Sequence, residues 1–184
     1  MARQKQTELA VLGVLGVQPM SGYAVRAAIR DQLGFFWSES FGQIYPTLSA
    51  LHARGEVEKH DGARPGSSLY SLTPTGRRRM LSLLEQPDSP TPRRDGFMLR
   101  LFFGRSLGPD ACRELVAQAR ESAAHQLAVY QAIRAQVESE TEYAEHKAYW
   151  LITLSAGEHT TRAAIAWADE TLEKLDLSRG AYLL

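Results

Sequence analysis

Five uncharged polar side chains, Gln43, Tyr45, Thr47, Ser49 and His52, fall in one short stretch, interleaved with Ile44, Leu48 and Leu51. The apolar three recur at i, i+4 and i+7, which predicts a helix with one buried stripe and an opposite face that hydrogen-bonds without formal charge at neutral pH. Ser40 can cap that helix, and Gln43, three residues on, can return the bond to the cap. Such residues suit recognition. A glutamine pairs bidentately with adenine, Gln43 and Thr47 are both suited to base edges, and Tyr45 can donate to a phosphate; packing of Tyr45 among Ile44 and Leu48 is its competing role. Gly55 closes the stretch as a left-handed C-cap. Pro46 cannot donate to the Gly42 carbonyl, so the helix either starts near Tyr45 or kinks in its first two turns. An apolar stripe that begins at Ile44 favours the kink.

The flanking segments position this stretch. Thr7 is expected to cap an almost wholly apolar helix through Leu15, ended by Gly16 and Pro19. Ser21 caps a second helix over 22–32, with Tyr23, Val25, Ala28, Ile29 and Leu33 facing inward and Arg26 and Arg30 outside. Phe35, Phe36 and Trp37 form an aromatic link, read mainly as core. Beyond Gly55, residues 56–60 and 68–72 read as two strands around a turn-rich tip that carries Arg64. That hairpin is a wing. Arg64 at its tip can enter a minor groove or touch phosphate; its alternative is a solvated loop arginine. Thr73 and Pro74 then open a helix bearing Arg77, Arg78 and Arg79, either a phosphate clamp or a solvated face.

Helix, helix, reading helix, wing, helix is the order of a winged helix-turn-helix. The blocks Leu9–Leu15, Ser21-Gly22-Tyr23, Gly42-Gln43-Ile44-Tyr45-Pro46-Thr47-Leu48 and Tyr70-Ser71-Leu72-Thr73-Pro74-Thr75-Gly76 together resemble the PadR family of bacterial transcriptional regulators. The resemblance covers roughly residues 7–84. It implies that Tyr45 and its neighbours lie on the helix that enters the major groove, and it supports a helix that tolerates Pro46. Candidate DNA contacts are therefore Ser40, Gln43, Tyr45, Thr47, Arg64 and Arg26. Net charge is zero, but residues 1–84 hold ten Lys/Arg against six Asp/Glu, and residues 85–184 hold eleven against fifteen. The basic excess lies in the half with the reading helix, as phosphate binding requires.

Three prolines in 87–92 mark residues 86–96 as a semi-rigid linker between a DNA-binding domain, 1–85, and a helical domain, 97–184. The fold class expected is mainly α with a small β-hairpin wing: the winged helix-turn-helix followed by a short apolar helix (97–103) and two helices of about 30 residues. Each long helix spans roughly 45 Å and carries an apolar stripe that a layer this thin cannot bury, so a homodimer is expected. A dimer also sets two reading helices about 34 Å apart on a palindrome. This half resembles the longer PadR/AphA-like C-terminal domain. The resemblance implies a small aromatic effector, with Phe97, Arg100 and Trp150 as candidate contacts and Arg94, Trp167, Phe102 and Phe103 as further possibilities; aromatic interface core is the competing reading.

No phosphate-cradling glycine loop, HExxH or nucleophile elbow is present, so no enzyme is expected. His125, His146 and His159 lack metal-ligand spacing, and the lone Cys112 excludes an internal disulfide, so neither metal nor cofactor is expected. With no membrane span or secretory leader in the sequence, a cytoplasmic protein is expected. The expected function is a sequence-specific DNA-binding repressor; the alternative is a winged-helix adaptor that binds protein without DNA specificity.

Overall fold

Polar residues 2–6 are good helix formers, and they extend the first helix, α1 (Ala2–Val17), well ahead of the expected cap. Thr7 is therefore no cap: it lies inside α1 and is buried. The computed structural model describes residues 2–37, 41–61, 68–87 and 95–181. Ser40, Arg64 and Arg94 lie outside them. The chain divides into two units, Met1–Thr91 and Pro92–Leu184.

In the first unit, Met20–Ser21 forms a two-residue strand, β1, followed by α2 (Gly22–Ala28) and a π-helical turn at Ile29–Leu33. Ser21 caps α2 by accepting from the Ala24 amide at 3.1 Å. Tyr23 does not face inward; it is 71% exposed. Its place two residues after the cap turns it away from the side that buries Gly22 and Val25. Helix α3 (Phe41–Ala53) is one continuous helix with Pro46 inside it, which removes the late-start alternative. Ile44, Leu48 and Leu51 are fully buried against Val11, Leu12, Leu15, Val25 and Ile29.

The wing strands are β2 (Val57–Asp61) and β3 (Ser68–Leu72), paired antiparallel from Val57 opposite Leu72 to Asp61 opposite Ser68. Strand β1 adds to the free edge of β3, Met20 opposite Tyr70 and Ser21 opposite Leu69, giving the order β1-β3-β2. Two residues are too few for an alternating pattern, so the sequence did not announce this strand. Thr73 caps α4 (Pro74–Leu84), accepting from the Gly76 amide at 3.0 Å, and donates to the carbonyls of Gly55 and Glu56. The chain passes so close here that a Cβ on Gly76 would lie 1.9 Å from the Glu56 carbonyl oxygen. Gly55 takes φ +67, as a left-handed C-cap requires.

In the second unit, Asp95 caps α5 (Gly96–Phe102), and two long helices follow, α6 (Pro109–Ser139) and α7 (Ala144–Ala181). They run antiparallel, with Arg113 on Asp176, Arg120 on Asp169 and Arg134 on Glu158. Between them lie Cys112, Val116, Tyr130, Leu154, Thr161 and Ala168. Cys112 donates through Sγ to the Gly104 carbonyl. Tyr149, Ile152 and Leu177 stay largely exposed on the single chain, as do Leu99, Phe102 and Phe103.

Candidate nucleic-acid interface

The outward side of α3 carries Gln43, Tyr45, Pro46, Ser49 and His52, all exposed. Thr47 is not among them. It retains 9% exposure, because it falls between Ile44 and Leu48 on the buried stripe and is only three residues from each of Ile44 and Ala50. The sequence reading placed it on the polar face from its chemistry, whereas its helical phase sends it inward. Ser49 occupies the outward position instead. His52 is held by a 3.1 Å contact between Nδ1 and the Val57 carbonyl. A carbonyl only accepts, so Nδ1 carries the proton and Nε2 of the neutral ring is left as an acceptor. Tyr45 is half exposed because one side of its ring lies across Gly22; a Cβ there would meet Tyr45 Cε1 at 2.7 Å.

The arginines of this unit divide into two groups. Arg79 bonds Glu8 at 2.9 Å, and Arg54 bonds both Glu8 (3.1 Å) and Glu56 (2.8 Å). Glu8 and Glu56 are buried, so this chain of four charges ties α1, the end of α3, the start of β2 and α4 together. Its hydrogen bond to the Glu56 carboxylate holds the Arg54 guanidinium above the ordinary arginine range. Arg79 is therefore a structural partner, not a phosphate clamp. Glu8 was the missed signal: a carboxylate among Leu9, Ala10, Val11 and Leu12 needs a buried cation. Arg77, Arg78 and Lys59 are exposed, and Arg26 is half-buried on α2. Arg78 donates to the Thr75 hydroxyl at 3.0 Å. Arg30 is taken up by Asp31 in two bonds of 2.6 and 2.9 Å.

The three effector candidates do not meet within one chain. Phe97 packs edge-on against Trp167, centroids 5.9 Å apart, while Trp150 stacks on His146 at 5.7 Å and neighbours Tyr143 at 6.0 Å. Trp150 and Trp167 share α7, and seventeen residues at 1.5 Å each separate them by about 25 Å. Arg100 is exposed on α5, on the same short helix as Phe97. Among the described residues no group of His, Cys, Asp and Glu is arranged to hold a metal ion.

Residues 11–82 match the transcriptional regulator PadR-like family, and residues 93–176 match the virulence activator alpha C-terminal family. The chain thus joins a PadR-like regulator domain to a virulence-activator-type C-terminal domain. It is of the longer type, in which the winged domain is followed by the long-helix C-terminal domain, and its relatives are regulators rather than enzymes. The negative transcriptional regulator PadR of Bacillus subtilis is 24% identical over 175 residues, which span 91% of this chain and 96% of that protein. The structure of Bacillus subtilis PadR in complex with operator DNA has the same fold, with TM-score 0.79 at 23% identity over 91% of this chain and 98% of that one. That protein has also been solved with p-coumaric acid, TM-score 0.78 at 24% identity over 92% and 98%. The virulence activator AphA of Vibrio cholerae gives 0.73 at 25% identity over 94% and 99%.

Proposed function

We propose that this PadR-like chain is a homodimeric repressor that reads a palindromic operator. The observation that carries the reading is the outward face of α3, where Gln43 and Ser49 stand exposed and uncharged beside the wing. Gln43 takes an adenine edge, Ser49 a neighbouring base, and Arg26, Arg77, Lys59 and the wing arginine Arg64 hold the backbone. Ser40 is assigned to the phosphate that approaches the start of α3. The apolar side chains left exposed on α5 and α7 favour a second copy, which fixes the separation of the two reading helices. Bacillus subtilis PadR, solved both with operator DNA and with p-coumaric acid, favours the same class of target and a small aromatic acid as effector. Such a ligand would act through the linker at 86–96, shifting the spacing of the readers rather than their base contacts. No described helix is long and apolar enough to cross a membrane, and the reading places the protein in the cytoplasm with its DNA.

The test is enrichment of duplexes from a randomised pool, followed by gel shifts across a salt series. A palindromic consensus is expected, with affinity falling steeply from low to moderate salt. Gln43→Ala should relax preference at one position of each half-site, a discrimination of about 1–3 kcal/mol, and Arg64→Ala should weaken all sequences alike. Salt-independent retention of a protein partner, with no enriched duplex, would instead favour the adaptor reading.

A further inference from the structure

The Tyr45 ring lies on the backbone of Gly22: beside the 2.7 Å approach to Cε1, a Cβ at Gly22 would meet Cδ1 at 3.4 Å and Cζ at 3.5 Å. Gly22 is buried, and it directly follows Ser21, which both caps α2 and pairs in β1 with Leu69 of the wing's inner strand. One short segment, Met20 to Gly22, therefore touches the reading helix on one side and the wing on the other. A side chain at Gly22 would push the ring, and with it α3, away from α2. At its C-terminal end α3 is tied to β2 by the His52–Val57 bond; toward its N-terminal end it is held by the apolar residues Ile44 and Leu48, which permit small movements because they offer no directional bond.

We infer that Tyr45 is a positioning residue: its flat ring, seated on Gly22, fixes the rotation of the reading helix relative to the wing, and its hydroxyl is not what DNA recognition uses. The inference rests on the proposed DNA-reading function and assigns Tyr45 a different role from a phosphate donor. It accounts for a glycine after the Ser21 cap, where alanine would form a better helix. It also explains why the ring is half exposed on a face otherwise made of smaller polar groups.

The probe is the duplex that the wild-type full-length protein enriches from a randomised pool, compared with a scrambled duplex of the same length. Failure of the wild type to prefer any duplex would end the proposed function before the inference is tested. Given a preference, Tyr45→Phe should keep the ratio of specific to scrambled affinity within about twofold, the rescue expected of a positioning ring. Tyr45→Leu and Gly22→Ala should each lower that ratio about tenfold or more, while the slope of affinity against salt stays the same because the phosphate contacts remain. Loss of the ratio in Tyr45→Phe to the same extent as in Tyr45→Leu would overturn the inference in favour of a hydroxyl contact. Retention of the ratio in Tyr45→Leu and Gly22→Ala would overturn it as well. So would failure of both variants to fold, judged by circular dichroism, since that would make the pair a core element. If only Gly22→Ala fails to fold, the comparison of Tyr45→Phe with Tyr45→Leu decides.

Discussion

At the scale of single residues, phase decides role more than chemistry does. Thr47 and Ser49 are both hydroxyl side chains on α3, yet only Ser49 is exposed. Thr47→Val should leave the enriched base preference unchanged, whereas Ser49→Ala should alter it at one position per half-site, both read by competition gel shift. Gly76 is held by space rather than by backbone angle. Gly76→Ala should cost about 3 kcal/mol, measured by urea unfolding, because its Cβ would meet the Glu56 carbonyl and neither strand nor helix can retreat. What the sequence made legible at this scale were residues whose local partners are near in the chain: the caps at Ser21 and Thr73, the C-cap at Gly55, the stripe of α3. Glu8 was not legible, because its partners Arg54 and Arg79 are brought to it only by the packing of α3 and α4. Thr7 misled for a related reason, since a threonine before an apolar run reads as a boundary when residues 2–6 in fact continue the helix.

Among elements, the long helices were readable because a stripe repeated over many turns leaves little ambiguity, and on α7 Trp150, Leu154, Thr161, Ala168 and Leu175 recur along one side, buried or half-buried. β1 was invisible, being two residues whose strand character exists only through pairing with β3. The α6–α7 pair also has an acid-sensitive link. The hydrogen bond that Arg134 donates to Glu158, with support from Arg162, holds the Glu158 carboxyl below its ordinary value of 4.5. A lowered folded-state pKa means the stabilisation is complete above pH 4.5 and disappears as pH falls through the folded value beneath it. Thermal unfolding should therefore show stability constant down to about pH 4.5 and declining below. Glu158→Gln should lower stability at neutral pH by about 2 kcal/mol and flatten that decline.

For the whole molecule, the two halves carry opposite charge surpluses, which fits the division of work in the proposed function, the basic half meeting DNA and the acidic half joining two copies. Dimer assembly predicts that sedimentation at micromolar concentration gives twice the chain mass of 20.5 kDa, and that half-saturation in gel shifts depends on protein concentration more steeply than one-to-one binding allows. A monomer that still binds the enriched duplex tightly would contradict the spacing mechanism. The three ion pairs between the long helices bear on their alignment too, because in each the cation sits on α6 and the anion on α7. Sliding the pair by one heptad would keep Arg113 opposite an acid, Asp169, but set Arg120 against Arg162, so all three pairs form together only in the observed register. The register that seats Leu154 and Ala168 between the helices is also the one that gives all three arginines a carboxylate, so apolar packing and charge call for the same alignment.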